Sequence, residues 1–268
     1  MKRARILLTG AAGRIALQMR ERLAPKCELL RLVDRVPFEA LHPVETAHVV
    51  DLADPRALHP LLNGIDAIIH LAGYPREADW HTLIPANVQA VANVWDAAQD
   101  AGVTRILYAS SNHAVGFYPR SQRIDESALP RPDSRYGVTK VFMEATARLY
   151  ADKYGVRGFG MRIGHCSVKP VDARMLSHWI HPDDLAALIE VGLTADYQCE
   201  IVYGASANSR SWWNNSRAEA LGYLPRHSAD AFATELADRV STNAIEERHQ
   251  GGSFAAEGYV RRVVSAER

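Results

Sequence analysis

The sequence predicts a doubly wound parallel α/β sheet with a smaller C-terminal portion packed on it. Over the first 165 residues, short apolar runs alternate with helix-length amphipathic stretches, the rhythm of a parallel sheet with helices on both faces. A glycine turn joins the first run to the first helix, and an acid ends the second run, the pairing expected where such sheets hold a ligand. No internal repeat, low-complexity tract or long Pro/Ser linker interrupts this order.

Arg5–Thr9 (RILLT) reads as a buried strand, followed by the glycine turn and a helix to about Leu23. Glu28–Asp34 (ELLRLVD) predicts a second strand, His48–Asp51 (HVVD) a short third and Ala67–Leu71 (AIIHL) a fourth. Thr82–Ala101 predicts one long helix burying Leu83, Val91, Val94 and Trp95. Arg105–Ser110 predicts a fifth strand, Val138–Tyr154 another long helix and Gly158–Ile163 a sixth strand. Beyond about residue 165 the rhythm breaks at Pro170 and Pro182. A helix is expected near Asp183–Leu193, a short strand at Ile201–Tyr203 and a tryptophan-rich loop at Ser211–Asn215. Residues 1–165 are therefore expected to form a nucleotide-binding core. Residues 166–268 would supply a substrate-binding portion within one integrated domain.

Acidic and basic residues balance at 31 each, which argues against capture of nucleic acid or an anionic membrane. Cys27, Cys166 and Cys199 form no CxxC pair, so a reducing compartment is expected. The N-terminal apolar run is too short for a signal-peptide core, and no apolar run approaches about 20 residues. A soluble, cytoplasmic protein is the expectation. His178 and His181 precede Asp183 and Asp184, but this pattern reads as a loop entering a helix with an acidic first turn. No metal is expected. The Trp212-Trp213 pair is expected to serve core or subunit packing.

Thr9–Ala16 (TGAAGRIA) directly follows the first strand. Gly10 and Gly13 let the backbone turn tightly and approach a pyrophosphate, which the free N–H groups of the helix start would receive. A Rossmann-type fold also requires an acid at the end of strand two to bind ribose hydroxyls. Asp34 stands there, 21 residues past Gly13. Its charge repels a 2′-phosphate, favouring NAD over NADP, while the adjacent Arg35 moderates that preference.

Tyr136-Gly-Val-Thr-Lys140 places a tyrosine and a lysine on one helix face. A free phenol has a pKa near 10, about three units too high for a base at neutral pH. A fixed ammonium favours the phenolate, so Tyr136 could accept a hydroxyl proton as hydride leaves. Ser110 and Ser111 follow the fifth strand at the carboxyl edge of the sheet. Either hydroxyl could orient the reacting oxygen or merely satisfy the loop backbone.

Together TGAAGRIA, Asp34, HLAG (His70–Gly73), Asn87, SSN (Ser110–Asn112) and YGVTK resemble the extended short-chain dehydrogenase/reductases, over roughly residues 4–190. The resemblance implies that Ser111, 25 residues before Tyr136, is the catalytic serine beside Tyr136 and Lys140. It further implies an NAD site of Gly10, Gly13, Arg14, Ile15, Asp34, Asp51, Leu52, Leu71, Ala72, Gly73, Asn87, Tyr136 and Lys140. Ala16 stands where a third glycine is usual.

Within that group the chain is most similar to the bacterial uronate dehydrogenases, which oxidise C1 of galacturonate or glucuronate with NAD. The strings ASSNHAVGFYP, RPDSRYGVTK, RMLSHW, VYGASANSRSWWNNS and QGGSF carry this similarity. It implies that Ser111, Asn112, His113, Tyr136 and the residue at position 165 meet a sugar acid. Arg174 would grip its carboxylate with both prongs of the guanidinium. A homo-oligomer associating through the long helices is implied as well. His165 departs from the small hydroxyl residue expected there, and Tyr74-Pro75-Arg76 from an expected serine. Oxidation or epimerisation of another sugar, or NAD sensing without catalysis, are the alternatives.

Overall fold

The computed structural model describes residues 3–260, in which seven parallel strands form one sheet. The strands are β1 (Ala4–Thr9), β2 (Cys27–Asp34), β3 (Glu45–Val49), β4 (Ala67–His70), β5 (Arg105–Ser111), β6 (Arg157–Ile163) and β9 (Cys199–Gly204). Their order is β3-β2-β1-β4-β5-β6-β9. A two-stranded ribbon of β7 (His165–Cys166) and β8 (Trp179–Ile180) lies beyond β6.

The central strands are apolar throughout because both faces are covered. Ile6 and Leu8 of β1 face α1 (Arg14–Leu23) and α6 (Pro182–Thr194), through Met19, Leu23, Leu185 and Ile189. Leu7 faces the opposite layer, formed by α3 (Ala90–Asp100) and α4 (Arg135–Tyr154), through Val94, Trp95, Met143 and Ala147. Ala16 is buried in the first layer, so the missing third glycine leaves helix–sheet packing intact. Leu83, Val91, Val94 and Trp95 are all buried, as expected. Chain order reverses between β1 and β4, which opens a crevice above their carboxyl ends.

Three departures from expectation have physical causes. The third strand runs over Glu45–Val49, because pairing with β2 sets its register from Leu30–Glu45 to Asp34–Val49. As an edge strand it exposes most of its residues and shows little apolar pattern. The long helix starts earlier, at α2 (Trp80–Leu83) under an Asp79 cap, and is interrupted by a wide π turn over Ile84–Gln89. Pro85 has no N–H and its ring clashes with the preceding turn; the wider turn accommodates both and directs Asn87 inward. The second long helix starts at Arg135 rather than Val138, because the Ser134 hydroxyl accepts the Gly137 N–H and caps it. The sheet also takes its last strand, β9, from beyond residue 165, so both parts of the chain share it.

Candidate active site

The loop after β1 is built around Gly10. At φ +70° a side chain is strained, and a Cβ would sit 2.7 Å from the Ala72 nitrogen. Gly13 caps α1 without any side chain contacting its first N–H groups, which leaves them available to an anion. The Asp34 carboxylate accepts the Ala12 N–H at 3.0 Å and the Val36 N–H at 3.2 Å, fixing it at the crevice wall. Asp34, Asp51, Leu52, Leu71, Ala72 and Gly73 line one cleft of about 240 Å³ with Gly10 and Gly13. Arg14 and Ile15 open α1 beside it. A tight turn, a free helix start and an acid on the cleft wall fit a dinucleotide. Tyr74 and Pro75 line this same cleft.

Tyr136 lies in the first turn of α4 with its ring buried; Lys140 Nζ sits 5.3 Å from the ring centroid. The ammonium donates to the Ala109 carbonyl at 2.9 Å. Burial pushes Lys140 down to about 8, against the nearby Glu144 carboxylate. Burial likewise pushes Tyr136 up to about 12, with the Ser111 hydroxyl pulling it down and Asp133 pushing it up. The phenol is therefore not depressed as expected: in the free protein, desolvation outweighs the hydrogen bond from Ser111. The structure also separates the two serines. Ser110 donates at 2.5 Å to Glu144, which is buried and paired with Arg162. Ser111 instead faces Tyr136 and accepts the His113 N–H.

Asn87 is buried, joined to Tyr74 through both its amide atoms and to Thr139 of α4 at 3.1 Å. It thereby holds the loop after β4 against α4. Glu77, which the sequence reading passed over, accepts the Tyr136 N–H at 2.9 Å at the start of α4.

Arg174 begins the short helix α5 (Met175–His178) and is half-buried. Among the described residues, no carboxylate lies within ion-pair distance of it. Its Nε and Nη2 donate to the Gln250 carbonyl, and its Nη1 donates to His178 Nε2 at 2.9 Å. With the Asn112 amide oriented to satisfy its neighbours, its oxygen accepts from Arg174 Nη2 at 3.3 Å and its nitrogen donates to the Ile163 carbonyl. The two-pronged face expected for Arg174 is therefore already engaged. It offers a cation without a direct ion-pair partner instead, with Asp172, Asp133 and Glu246 acting on it only at longer range.

His165 is half-buried, and its pKa is lowered by burial and by Arg14, raised by Asp172 and lowered by Arg174. His113 stacks on Phe254 at 3.9 Å and meets the Tyr136 ring edge-on at 5.7 Å. Gly252, at φ +61°, lies so close to Arg174 that a Cβ would sit 2.5 Å from its Nε. Phe254, Gln250 and Gly252 come from the QGGSF string, whose spacing alone gave no sign of these contacts.

Elsewhere, His181 and His227 stack at 3.7 Å. His181 Nδ1 accepts the Asp183 N–H while Arg22 donates to the Asp183 carboxylate, so this cluster caps α6 and ties it to α1. Trp213 is buried and donates to Gln250, and Trp212 stacks on His178.

The sequence matches the family described as the NAD dependent epimerase/dehydratase family over residues 6–182. The uronate dehydrogenase of Pseudomonas putida is 43% identical over 258 residues, covering 95% of this chain and 96% of that protein. The uronate dehydrogenase of Agrobacterium fabrum is 42% identical over 254 residues, covering 93% and 96%. The solved uronate dehydrogenase of Agrobacterium tumefaciens matches with a TM-score of 0.90 at 40% identity, covering 94% of this chain and 97% of that one. A mutant of that enzyme has been solved in complex with NAD.

Proposed function

This chain belongs to the NAD dependent epimerase/dehydratase family, and on that premise we propose that it oxidises C1 of a uronic acid, galacturonate or glucuronate, to the aldarolactone with NAD. The observation that carries the substrate class is Arg174, a half-buried cation with no ion-pair partner among the described residues, joined to Asn112 beside Ser111 and held by the Gln250–Phe254 segment that also meets Tyr136. A half-buried charge without a direct partner is costly, and a substrate carboxylate would relieve it.

The chain's residues divide the work. The start of α1, with Gly10 and Gly13, takes the pyrophosphate, and Asp34 takes the adenosine ribose hydroxyls. Asn112 and His165 flank Arg174 on the carboxylate side. Ser111 and Tyr136 hold the C1 hydroxyl, and the phenolate oxygen of Tyr136 accepts its proton, becoming the phenol, as the C1 hydrogen leaves with both bonding electrons. When bound, NAD supplies the hydride acceptor and a positive ring that adds to Lys140 in favouring the phenolate. Lys140, anchored on Ala109, holds the nicotinamide ribose and stays close to the phenol.

Three buried, unpaired cysteines support a cytoplasmic setting. No helix among the described residues is long and apolar enough to cross a membrane. Val138, Phe142 and Leu149 form an exposed apolar stripe along α4, which supports a homo-oligomer joined through the long helices. The test of function is NADH formation with purified protein, NAD and a panel of uronic acids beside their neutral sugars. Turnover confined to the acids is expected; turnover of neutral sugars alone would overturn the substrate assignment.

A further inference from the structure

Asp133 lies three residues before the catalytic tyrosine, yet its carboxylate has no contact with the solvent. Space for it comes from two glycines on separate segments. A Cβ at Gly116 would fall 1.8 Å from Asp133 Oδ2, and one at Gly251 would fall 1.7 Å from it. Those segments are joined to each other by the Gly251 N–H donating to the Gly116 carbonyl at 2.8 Å. Among the described residues, no lysine or arginine lies within ion-pair distance of this carboxylate. Its partners are the Ser134 hydroxyl, which donates to Oδ1 at 2.8 Å, and His113 Nδ1, at 2.8 Å from Oδ2.

A buried carboxylate left without a metal or an arginine needs donors. The Ser134 hydroxyl supplies one, so His113 Nδ1 must carry a proton to supply the other. That fixes the imidazole: Nδ1 is the protonated nitrogen, and Nε2 is left bare in the neutral ring. Phe254 stacked on one face of the ring and Tyr136 against its edge hold the plane of the imidazole. Within the described residues Nε2 has no hydrogen-bond partner, whereas both Asp133 carboxylate oxygens and the Ser134 hydroxyl are paired.

We infer that Asp133 is a positioning residue: it locks His113 in the tautomer whose Nε2 accepts a hydroxyl of the sugar beside the reacting carbon. The inference rests on the proposed reading of the site as one for sugar oxidation. It extends that reading to a residue that touches neither substrate nor cofactor. It also gives the glycines of the QGGSF segment a task. Gly251 closes over the Asp133 carboxylate while Gly252 leaves room for Arg174, so one turn of chain sets both ends of the sugar pocket.

The test starts from the wild-type protein, whose imidazole nitrogens are labelled with ¹⁵N and read by NMR. The resonances assigned through a His113→Gln control should show a protonated Nδ1 and an unprotonated Nε2 near neutral pH. The opposite tautomer, or a ring protonated on both nitrogens, would overturn the inference without any variant having to fold, and without reference to activity. Asp133→Asn keeps the shape and presents an amide donor to Nδ1, so it should move the proton to Nε2. In this variant kcat/KM for the uronic acid should fall about 10- to 100-fold, the range seen when a metal-bound histidine loses its orienting partner, while NAD affinity is kept. In the His113→Gln background the same substitution should have little further effect. An equal loss in both backgrounds would assign Asp133 to the fold and overturn the inference. If wild-type protein turns over no uronic acid, the functional reading fails, and the tautomer measurement still decides the role of Asp133.

Discussion

Replacing Lys140 with methionine should abolish turnover and make the protein more stable. The ammonium is buried and its pKa falls from 10.5 to about 8. At about 1.4 kcal/mol per unit, folding therefore costs about 3 kcal/mol more with this side chain charged than neutral. Methionine keeps the apolar stem and removes the charge. It also removes the hydrogen bond to the Ala109 carbonyl, worth about 1 kcal/mol. The net gain is about 2 kcal/mol, or a Tm higher by about 4 °C in a chain of this size. The pH dependence has a definite sign. Below about pH 8 the lysine is charged in both folded and unfolded chains, and the variant holds its full advantage. Between about pH 8 and 10.5 the unfolded wild-type chain binds the extra proton, so wild-type stability rises with pH and the gap closes. Scanning calorimetry of both proteins without NAD, near pH 7 and near pH 10, measures this directly. A lower Tm for the variant near pH 7, or a gap that widens with pH, would refute the reasoning.

Gly10→Ala should weaken NAD binding at least tenfold by calorimetric titration, because the new Cβ meets the Ala72 backbone at a strained φ; unchanged affinity would remove this loop from the pyrophosphate site. Arg174→Ala should raise KM for a uronic acid about 10- to 100-fold, the worth of a charged hydrogen bond, with NAD affinity kept. Steady-state kinetics with an unchanged KM would remove Arg174 from the carboxylate site. Tyr136→Phe should lower kcat by about 10²- to 10⁴-fold and leave NAD titrations unaltered; retained turnover would disqualify the phenol as base. Asp34→Ser should shift the ratio of kcat/KM values toward NADP at least tenfold, and a ratio that stays put would mean that Asp34 does not face the ribose.

The cleft of the candidate site lined by Gly10, Gly13 and Asp34 was legible in the sequence because its logic is local. A strand, a glycine turn and a helix start are contiguous, and Asp34 ends a strand whose apolar pattern is plain. The YxxxK pair was legible for the same reason, since one helix turn brings Tyr136 and Lys140 together. What stayed hidden depends on contacts between distant segments. Asp133 and Gly251 meet only after the chain has folded, and no periodicity marks either. The choice between Ser110 and Ser111 rested on which faces Glu144 and Arg162, a question of strand orientation that the family resemblance answered and residue spacing did not. Fold boundaries slipped where tertiary forces override local pattern, at the edge strand β3 and at the Pro85 turn. The engaged fork of Arg174 could not be foreseen either, because its partner is the main-chain carbonyl of Gln250.

The most direct test of the central claim follows the hydrogen itself. A uronic acid deuterated at C1 is oxidised with NAD, and the nicotinamide product is examined by mass spectrometry and NMR. One deuterium per NADH, with a slower turnover than the unlabelled sugar when hydride transfer limits the rate, is the predicted result. NADH free of deuterium would contradict oxidation at C1, whatever else the cleft binds.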